Sequence, residues 1–170
     1  MTKKYGVLGR LALFVTALIW GTSFVILKST LNSVSTMWML TIRFTISAII
    51  LLAFAARRLK KMDRRTLTGA VLMGCCLAAA YIVQTYGLVY TTAGKNAFLT
   101  ATYCVLVPFL AWAVYKRKPG VNNVIAAVLC ITGIGFVSLS SGFDRLNIGD
   151  VLTLLCGVFY AFQIIMMENY

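Results

Sequence analysis

Residues 66–94 contain no charged side chain and read TLTGAVLMGCCLAAAYIVQTYGLVYTTAG. A helix crosses the ~30 Å hydrocarbon core of a bilayer with about 20 residues, because each residue advances the helix by ~1.5 Å. The stretch is long enough to do so, and a helix satisfies its own backbone groups in lipid. Residues 67–90 are therefore predicted to form a transmembrane helix.

Charged and Gly- or Asn-rich breaks on both sides of this helix separate five more apolar segments. The six predicted spans are residues 11–29, 36–56, 67–90, 95–115, 121–140 and 150–168. Spans of about 20 residues each fill most of a chain of 170 residues, so the loops must be short. The predicted fold class is an all-α integral membrane protein with six transmembrane helices.

The bulk composition agrees with lipid as the solvent. Hydrophobic residues make up 61% of the chain and charged residues 12%, whereas soluble domains have about 25% charged residues. The net charge is +12, with 16 Lys and Arg against 4 Asp and Glu. Basic proteins often bind nucleic acid, but here the charge is confined to short clusters between apolar runs, which is typical of membrane loops. No nucleic-acid partner is expected.

The placement of Lys and Arg predicts the orientation, because cytoplasmic loops carry an excess of these residues. With the N-terminus in the cytoplasm, the residues inside would be Lys3, Lys4, Arg10, Arg57, Arg58, Lys60, Lys61, Arg64, Arg65, Lys116, Arg117 and Lys118. The outside ends would hold Lys28, Lys95 and Arg145. The sequence thus predicts a cytoplasmic N-terminus.

The first span has an alternative interpretation as a cleaved signal peptide, because Lys3, Lys4 and Arg10 precede an apolar stretch. However, bulky Trp20 and Phe24 occupy the region where small residues should mark the cleavage site. We therefore expect this helix to be retained.

Arg43 lies within the second predicted span. A charged side chain at the centre of a membrane helix costs ~2.5–3.5 kcal/mol on insertion scales, and such residues usually face a cavity or a partner. The functional hypothesis is that its planar guanidinium binds a substrate carboxylate or phosphate. The alternative is a structural arginine that binds helix-end carbonyls or extends to the membrane surface.

Polar residues at helical spacing form stripes on several predicted spans. The stripes are Thr16, Trp20 and Ser23; Tyr81, Gln84 and Thr85; Asn96, Thr100 and Tyr103; and the pair Tyr160 and Gln163. For any single residue, a hydrogen bond between helices is the simpler explanation. Convergence of several stripes favours a solute pathway. The residues predicted to shape a cavity with Arg43 are Trp20, Tyr81, Gln84, Asn96 and Tyr103.

Two further features concern the fourth span and the span ends. Pro108 cannot donate a hydrogen bond to the carbonyl of Cys104, so a kink that could serve gating is predicted there. Lys28 and Lys95 lie at predicted outer ends. They could attract an anionic substrate, but we expect them to extend to the lipid headgroups.

The sequence offers few candidate residues for catalysis, metal binding or proton coupling. The chain has no His, the commonest general base and metal ligand, and its five cysteines are interpreted as reduced packing residues. The acidic residues Asp63, Asp144, Asp150 and Glu168 lie in predicted loops or at span ends. No carboxylate for proton coupling is therefore expected within a pathway. No metal, no cofactor and no enzymatic activity are predicted.

Several motifs together resemble a known family. They are Trp20-Gly21-Thr22-Ser23-Phe24 with Lys28, Arg43-Phe44, the run from Gly87 to Lys95, the run from Tyr103 to Pro108, and the residues from Gly133 onward. Over about residues 8 to 168 the chain resembles the EamA-type family of the drug/metabolite transporter superfamily. The resemblance implies a multi-pass permease of the plasma membrane with ten helices in two inverted five-helix repeats.

The resemblance also implies a domain organisation. Residues 8–141 would form the first repeat, and residues 148–170 would form the first helix of a truncated second repeat. Residues 19–24 and 159–164 share a weak pattern, an aromatic residue followed by a small one, that agrees with this division.

The implied function is export or exchange of a small organic metabolite by alternating access. An amino-acid-like or other anionic or zwitterionic solute would suit Arg43 with its aromatic and amide neighbours. The expected partners are the solute, the lipid bilayer, and a second copy of the chain or a missing second half. The alternative is a truncated, non-transporting membrane subunit or fragment that packs with another chain.

Overall fold

The computed structural model describes residues 2–59, 62–116, 118–140 and 147–167. All regular secondary structure in these ranges is helical, which confirms the predicted all-α fold class. Several charged residues used to predict orientation and loops lie outside the described residues, namely Lys60, Lys61, Arg117, Asp144, Arg145 and Glu168.

Seven helices follow one another along the described chain. They are α1 (Thr2–Thr30), α2 (Thr36–Leu59), α3 (Arg64–Tyr90), α4 (Ala93–Thr100), α5 (Tyr103–Tyr115), α6 (Val121–Ser140) and α7 (Ile148–Met167). Helices α4 and α5 together form one apolar span, Ala93–Tyr115, and α1, α2, α3 and α7 each contain another. A shorter apolar stretch, Val121–Gly133, lies in α6. The helices therefore match the six predicted spans.

The start of α3 is set by local chemistry. Asp63 precedes the helix in extended conformation, and the hydroxyl of Thr66 donates a hydrogen bond to its carboxylate. This bond lowers the pKa of Asp63 below the usual value. A negative charge at this position also interacts favourably with the helix dipole.

The fourth span is interrupted about two helical turns before Pro108. The break lies at Ala101 and Thr102, whereas Pro108 lies inside α5. The backbone N–H and the hydroxyl of Thr102 both donate to the carbonyl of Leu99, at 3.2 and 2.7 Å. Thr side chains that bind nearby carbonyls compete with regular helical hydrogen bonds, which accounts for a break here. The kink at Pro108 and its gating role stay predictions, since a proline inside a helix is compatible with a bend.

Helix α7 is the most enclosed of the apolar spans, and it packs along α3, α4 and α5. Its contact with α3 is close because two glycines meet there. A Cβ atom built on Gly149 would lie 2.7 Å from the carbonyl oxygen of Gly87, and one built on Gly87 would lie 2.9 Å from the carbonyl oxygen of Gly149. Small residues let two membrane helices approach to backbone contact. Helices α3, α4, α5 and α7 thus form the packed centre of the described structure.

Helices α1 and α2 lie against this centre with most of their surface exposed. No residue in the apolar window of α1 is buried, and side chains such as Leu13 and Phe54 are 73% and 85% exposed. Helix α1 contacts α4, and helix α2 contacts α3. Apolar side chains on these outward faces are suited to contact lipid or another membrane helix.

We expect Gly149→Ala to destabilise the protein, because its Cβ would lie 2.7 Å from the Gly87 carbonyl oxygen and 2.8 Å from the Cβ of Tyr90. Overpacking of this kind costs about 1–3 kcal/mol and should lower the midpoint of thermal unfolding measured by circular dichroism in detergent. Gly74→Ala is the matched control, because a Cβ at Gly74 meets no atom within 4 Å. Equal effects of the two substitutions would contradict the proposed packing.

Candidate functional site

A cavity of about 130 Å³ lies between α1 and α2 on one side and the packed centre on the other. It is lined by Trp20, Ser23, Phe24, Leu27, Arg43, Tyr81, Gln84, Ala97, Thr100, Ala101, Tyr103 and Tyr160. Five of the six residues predicted to bind solute are in this set. The structure therefore brings together side chains from six helices that the sequence pattern could only place on separate faces.

The cavity lies within the bundle, nearer to one end. Gln84 precedes the end of α3 by six residues and Tyr160 follows the start of α7 by twelve, which corresponds to roughly 9 and 18 Å along the helix axes. Helices α1 and α3 end, and helices α4 and α7 begin, at the same end of the bundle. We call this end the distal end. The cavity therefore lies roughly 9 to 18 Å from the distal end of the bundle.

Arg43 provides the positive charge of the cavity wall. Its guanidinium carbon lies 4.5 Å from the centre of the Tyr81 ring, within the range of a cation–π interaction. Within the described ranges, its side chain forms no hydrogen bond or ion pair, and no Asp or Glu lines the cavity. Its charge is thus supported by an aromatic face and left without a counter-ion in these ranges.

Aromatic rings continue from Tyr81 along the wall. Tyr81 makes edge-to-face contacts with Phe44 and with Tyr160, each with ring centres 5.7 Å apart. Tyr160 in turn contacts Tyr103 at 5.8 Å. Such pairs add about 0.5–1.5 kcal/mol each beyond their buried area. The ring beneath Arg43 is therefore held in place from both sides.

Gln84 supplies the amide of the cavity wall. Its Nε2 donates to Thr100 Oγ1 at 2.9 Å, and the hydroxyl of Tyr160 donates to its Oε1 at 3.4 Å. The hydroxyl of Thr100 in turn donates to the carbonyl of Asn96 at 2.8 Å. These contacts connect α3, α4 and α7 and orient the amide.

Asn96, the sixth residue predicted to bind solute, is fully buried beside the cavity and does not line it. Its Nδ2 donates to Thr153 Oγ1 at 2.8 Å and to the carbonyl of Gln84 at 3.2 Å. Its Oδ1 has no hydrogen-bond partner among the described residues. Helix α7 covers this side of α4, an arrangement that helical spacing within α4 alone does not reveal.

The remaining members of the predicted stripes divide in two. Ser23, Thr100 and Tyr160 line the cavity. Thr16 and Thr85 donate to the carbonyls of Ala12 and Tyr81 in their own helices, and Gln163 contacts the sulfur of Met167. Apolar lining residues such as Phe24 and Leu27 were missed, because nothing in sequence distinguishes them from apolar residues that face lipid.

A second polar group, which we call the distal cluster, consists of Lys28, Thr91, Lys95, Asn147 and Asp150. Lys95 forms an ion pair with Asp150 at 2.7 Å, and Lys28 Nζ donates to the carbonyls of Leu88 and Val89 at 2.7 and 3.0 Å. The prediction that both lysines extend to lipid headgroups is therefore wrong. The carbonyls at the C-terminus of α3 attract a cation, and Asp150 offers a counter-ion.

Asp150 lies at the start of a span, as predicted, but it is fully buried. Its Oδ1 accepts from Thr91 Oγ1 at 3.1 Å, and its Oδ2 accepts from the backbone N–H of Asn147 at 3.1 Å. Asn147 Oδ1 accepts in return from the N–H of Asp150 at 3.0 Å. This reciprocal pair is a capping box that begins α7.

Comparisons with known proteins agree with the membrane fold. The sequence model of the EamA-like transporter family matches residues 7–139. An uncharacterized transporter of Archaeoglobus fulgidus is 38% identical over 160 residues, which cover 94% of this chain and 49% of that protein. The uncharacterized transporter YoaV of Bacillus subtilis is 23% identical over 141 residues, which cover 81% of this chain and 47% of that protein.

A third relative, an uncharacterized transporter of Acidianus ambivalens, is 28% identical over 125 residues, which cover 74% of this chain and 47% of that protein. The chain thus spans about half the length of the curated relatives it matches. No solved structure matches it. Its long apolar helices agree with a membrane protein, and the chain belongs to the EamA-like transporter family.

Proposed function

We propose that this chain contributes to a plasma-membrane permease that exports or exchanges a small organic solute with an anionic group by alternating access, without catalysing a reaction. The single observation that carries the proposal is Arg43 over Tyr81 in the wall of a cavity that no described acidic side chain lines. The N-terminus would lie in the cytoplasm, as the distribution of Lys and Arg favours.

Electrostatics supports an anionic solute. A cation removed from bulk water without a counter-ion is costly, and a solute carboxylate or phosphate at Arg43 would offset that cost. A guanidinium can bind such a group through two parallel hydrogen bonds. Hydrogen bonds to charged groups contribute about 1.5–3 kcal/mol each, enough to select an acid over its neutral amide.

The rest of the wall supports a small, amino-acid-like solute. The cavity is small, about 130 Å³, which suits a small solute. The amide of Gln84 and the hydroxyl of Ser23 offer hydrogen bonds, and the faces of Tyr103 and Tyr160 suit an apolar or cationic part. A zwitterion would thus find a complementary group for each of its charges.

The chain covers only about half of each curated relative. This coverage favours a second candidate function for the chain on its own. It would then be a membrane subunit or fragment that transports only when a second half or a second copy completes the pathway. Flux in proteoliposomes that contain these residues alone separates the candidates. Flux of a small carboxylate supports an autonomous carrier, and flux only after a partner is added supports the subunit.

We expect Arg43→Gln to weaken binding of small carboxylates about tenfold or more, the loss of ~1.4 kcal/mol or more, because the only charge of the described wall is removed. Arg43→Lys should retain part of the affinity, since Lys keeps the charge but not the planar guanidinium that forms two parallel hydrogen bonds. The measurement is a thermal-shift titration in nanodiscs with a panel of amino acids and their amides. Arg10→Gln, a change on the exposed surface of α1, is the control. Unchanged selectivity for acid over amide in Arg43→Gln would overturn the anchor role.

We expect the ring of Tyr81, rather than its hydroxyl, to hold Arg43. Tyr81→Phe should keep carboxylate affinity within about threefold, and Tyr81→Leu should lower it about threefold to tenfold, because a cation–π contact contributes ~0.5–1 kcal/mol or more. Tyr86→Leu on the same helix, outside the cavity lining, is the control. Equal affinities of the Phe and Leu variants in the same titration would show that the ring does not matter.

A further inference from the structure

We propose that the ion pair of Lys95 and Asp150 is the distal gate of this transporter, which closes the route between the cavity and the distal membrane face and separates when a solute passes. The inference rests on the proposed transport function. It assigns a role to a buried carboxylate in a chain whose sequence predicts none in a pathway.

The position of the pair is the first argument. Lys95 precedes the lining residue Ala97 by two residues on α4, and Asp150 precedes the lining residue Tyr160 by ten residues on α7. These separations correspond to roughly 3 and 15 Å along the two helix axes. Both residues lie between the cavity and the distal ends of their helices. A solute that left the cavity towards the distal face along α4 and α7 would therefore pass beside this pair.

The second argument is the completeness of the contact. Asp150 is fully buried and the Lys95 side chain is only 11% exposed. Thr91 and the backbone of Asn147 supply further hydrogen bonds to the carboxylate. Breaking a buried pair by removing one partner is strongly destabilising, because it leaves an uncompensated charge. In the closed state, α4 is thus held firmly to α7.

The third argument distinguishes a gate from simple packing. Apolar residues of similar volume often hold helices together as well as a buried ion pair does. Two charges have a different property, since both regain hydration when the space between them fills with water. An ion pair is therefore suited to a contact with two states, dry and closed or wet and open.

The distribution of polar contacts agrees with this role. Among the described residues, side-chain hydrogen bonds between different helices are concentrated in the distal half, around Gln84, Lys95 and Asn96. Towards the opposite end, the hydroxyl of Tyr115 donates to the carbonyl of Ile165 at 3.0 Å. The described structure is thus closed by polar contacts on the distal side.

Cys156 provides a native reporter of the gate. It lies on α7 with no exposed surface, and its sulfur is 3.7 Å from Thr100 Oγ1 on α4. Separation of α4 from α7 would expose this thiol to water. The test uses the full chain in membrane vesicles of both orientations, with the other four cysteines replaced by Ser. The rate of labelling by a membrane-impermeant maleimide is measured from each side.

We expect Lys95→Gln and Asp150→Asn each to accelerate labelling of Cys156 from the distal side about tenfold or more, which corresponds to ~1.4 kcal/mol in the opening equilibrium. Lys95→Arg, which keeps the positive charge opposite Asp150, should stay slow. Lys118→Gln, an exposed site, is the control. Unchanged rates in the single variants, or equal acceleration from both sides, would overturn the proposal.

A second measurement does not depend on the stability of the charge variants. In a chain without native cysteines, Lys95→Cys and Asp150→Cys are joined by a short bifunctional thiol reagent, and uptake of the carboxylate panel is followed. The cross-link should stop flux and a reductant should restore it, whereas continued flux through a cross-linked protein overturns the gate. If the parent moves no solute either alone or after a partner is added, the proposed function fails, and the labelling experiment still decides the gate.

Discussion

Polar groups within hydrocarbon must find their partners inside the protein, and this constraint determines how the helices of this chain pack. Gln84, Asn96 and Thr153 form hydrogen bonds across α3, α4 and α7, and Lys95 and Asp150 neutralise one another. Each unpaired group would cost several kcal/mol in lipid. The helices that carry these groups therefore form the packed centre, and α1 and α2, which bring few such groups, remain at its side.

Arg43 departs from this constraint in the described structure. Lys28 binds two carbonyls and Lys95 binds a carboxylate, but Arg43 has only the face of Tyr81. A cation–π contact offsets part of the cost of desolvation and leaves all five donors of the guanidinium available. The charges of Lys95 and Asp150 are thus satisfied within the protein, whereas Arg43 keeps donors that a solute would use under the proposed function.

The spans could be predicted because helix rise and bilayer thickness together demand about 20 apolar residues. The place of Arg43 in a cavity wall could be expected from the cost of burying its charge. The ion pair could not be expected, because its members are 55 residues apart and meet only once α7 packs against α4. The same packing explains why Asn96 is buried and does not line the cavity. A polar stripe shows that a helix face is covered but not which helix covers it.

The proposed gate also indicates which helix must move. Gly87 and Gly149 hold α3 and α7 at backbone contact directly beside Asp150, so α7 cannot leave α3 without disrupting the closest packing in the described structure. Helix α4 is only eight residues long, and the break at Ala101 and Thr102 separates it from α5. Its polar bonds to α7 can be exchanged for bonds to water, whereas the close packing of two glycines has no such substitute. Opening of the distal side is therefore easiest when α4 turns away about this break and α7 stays on α3.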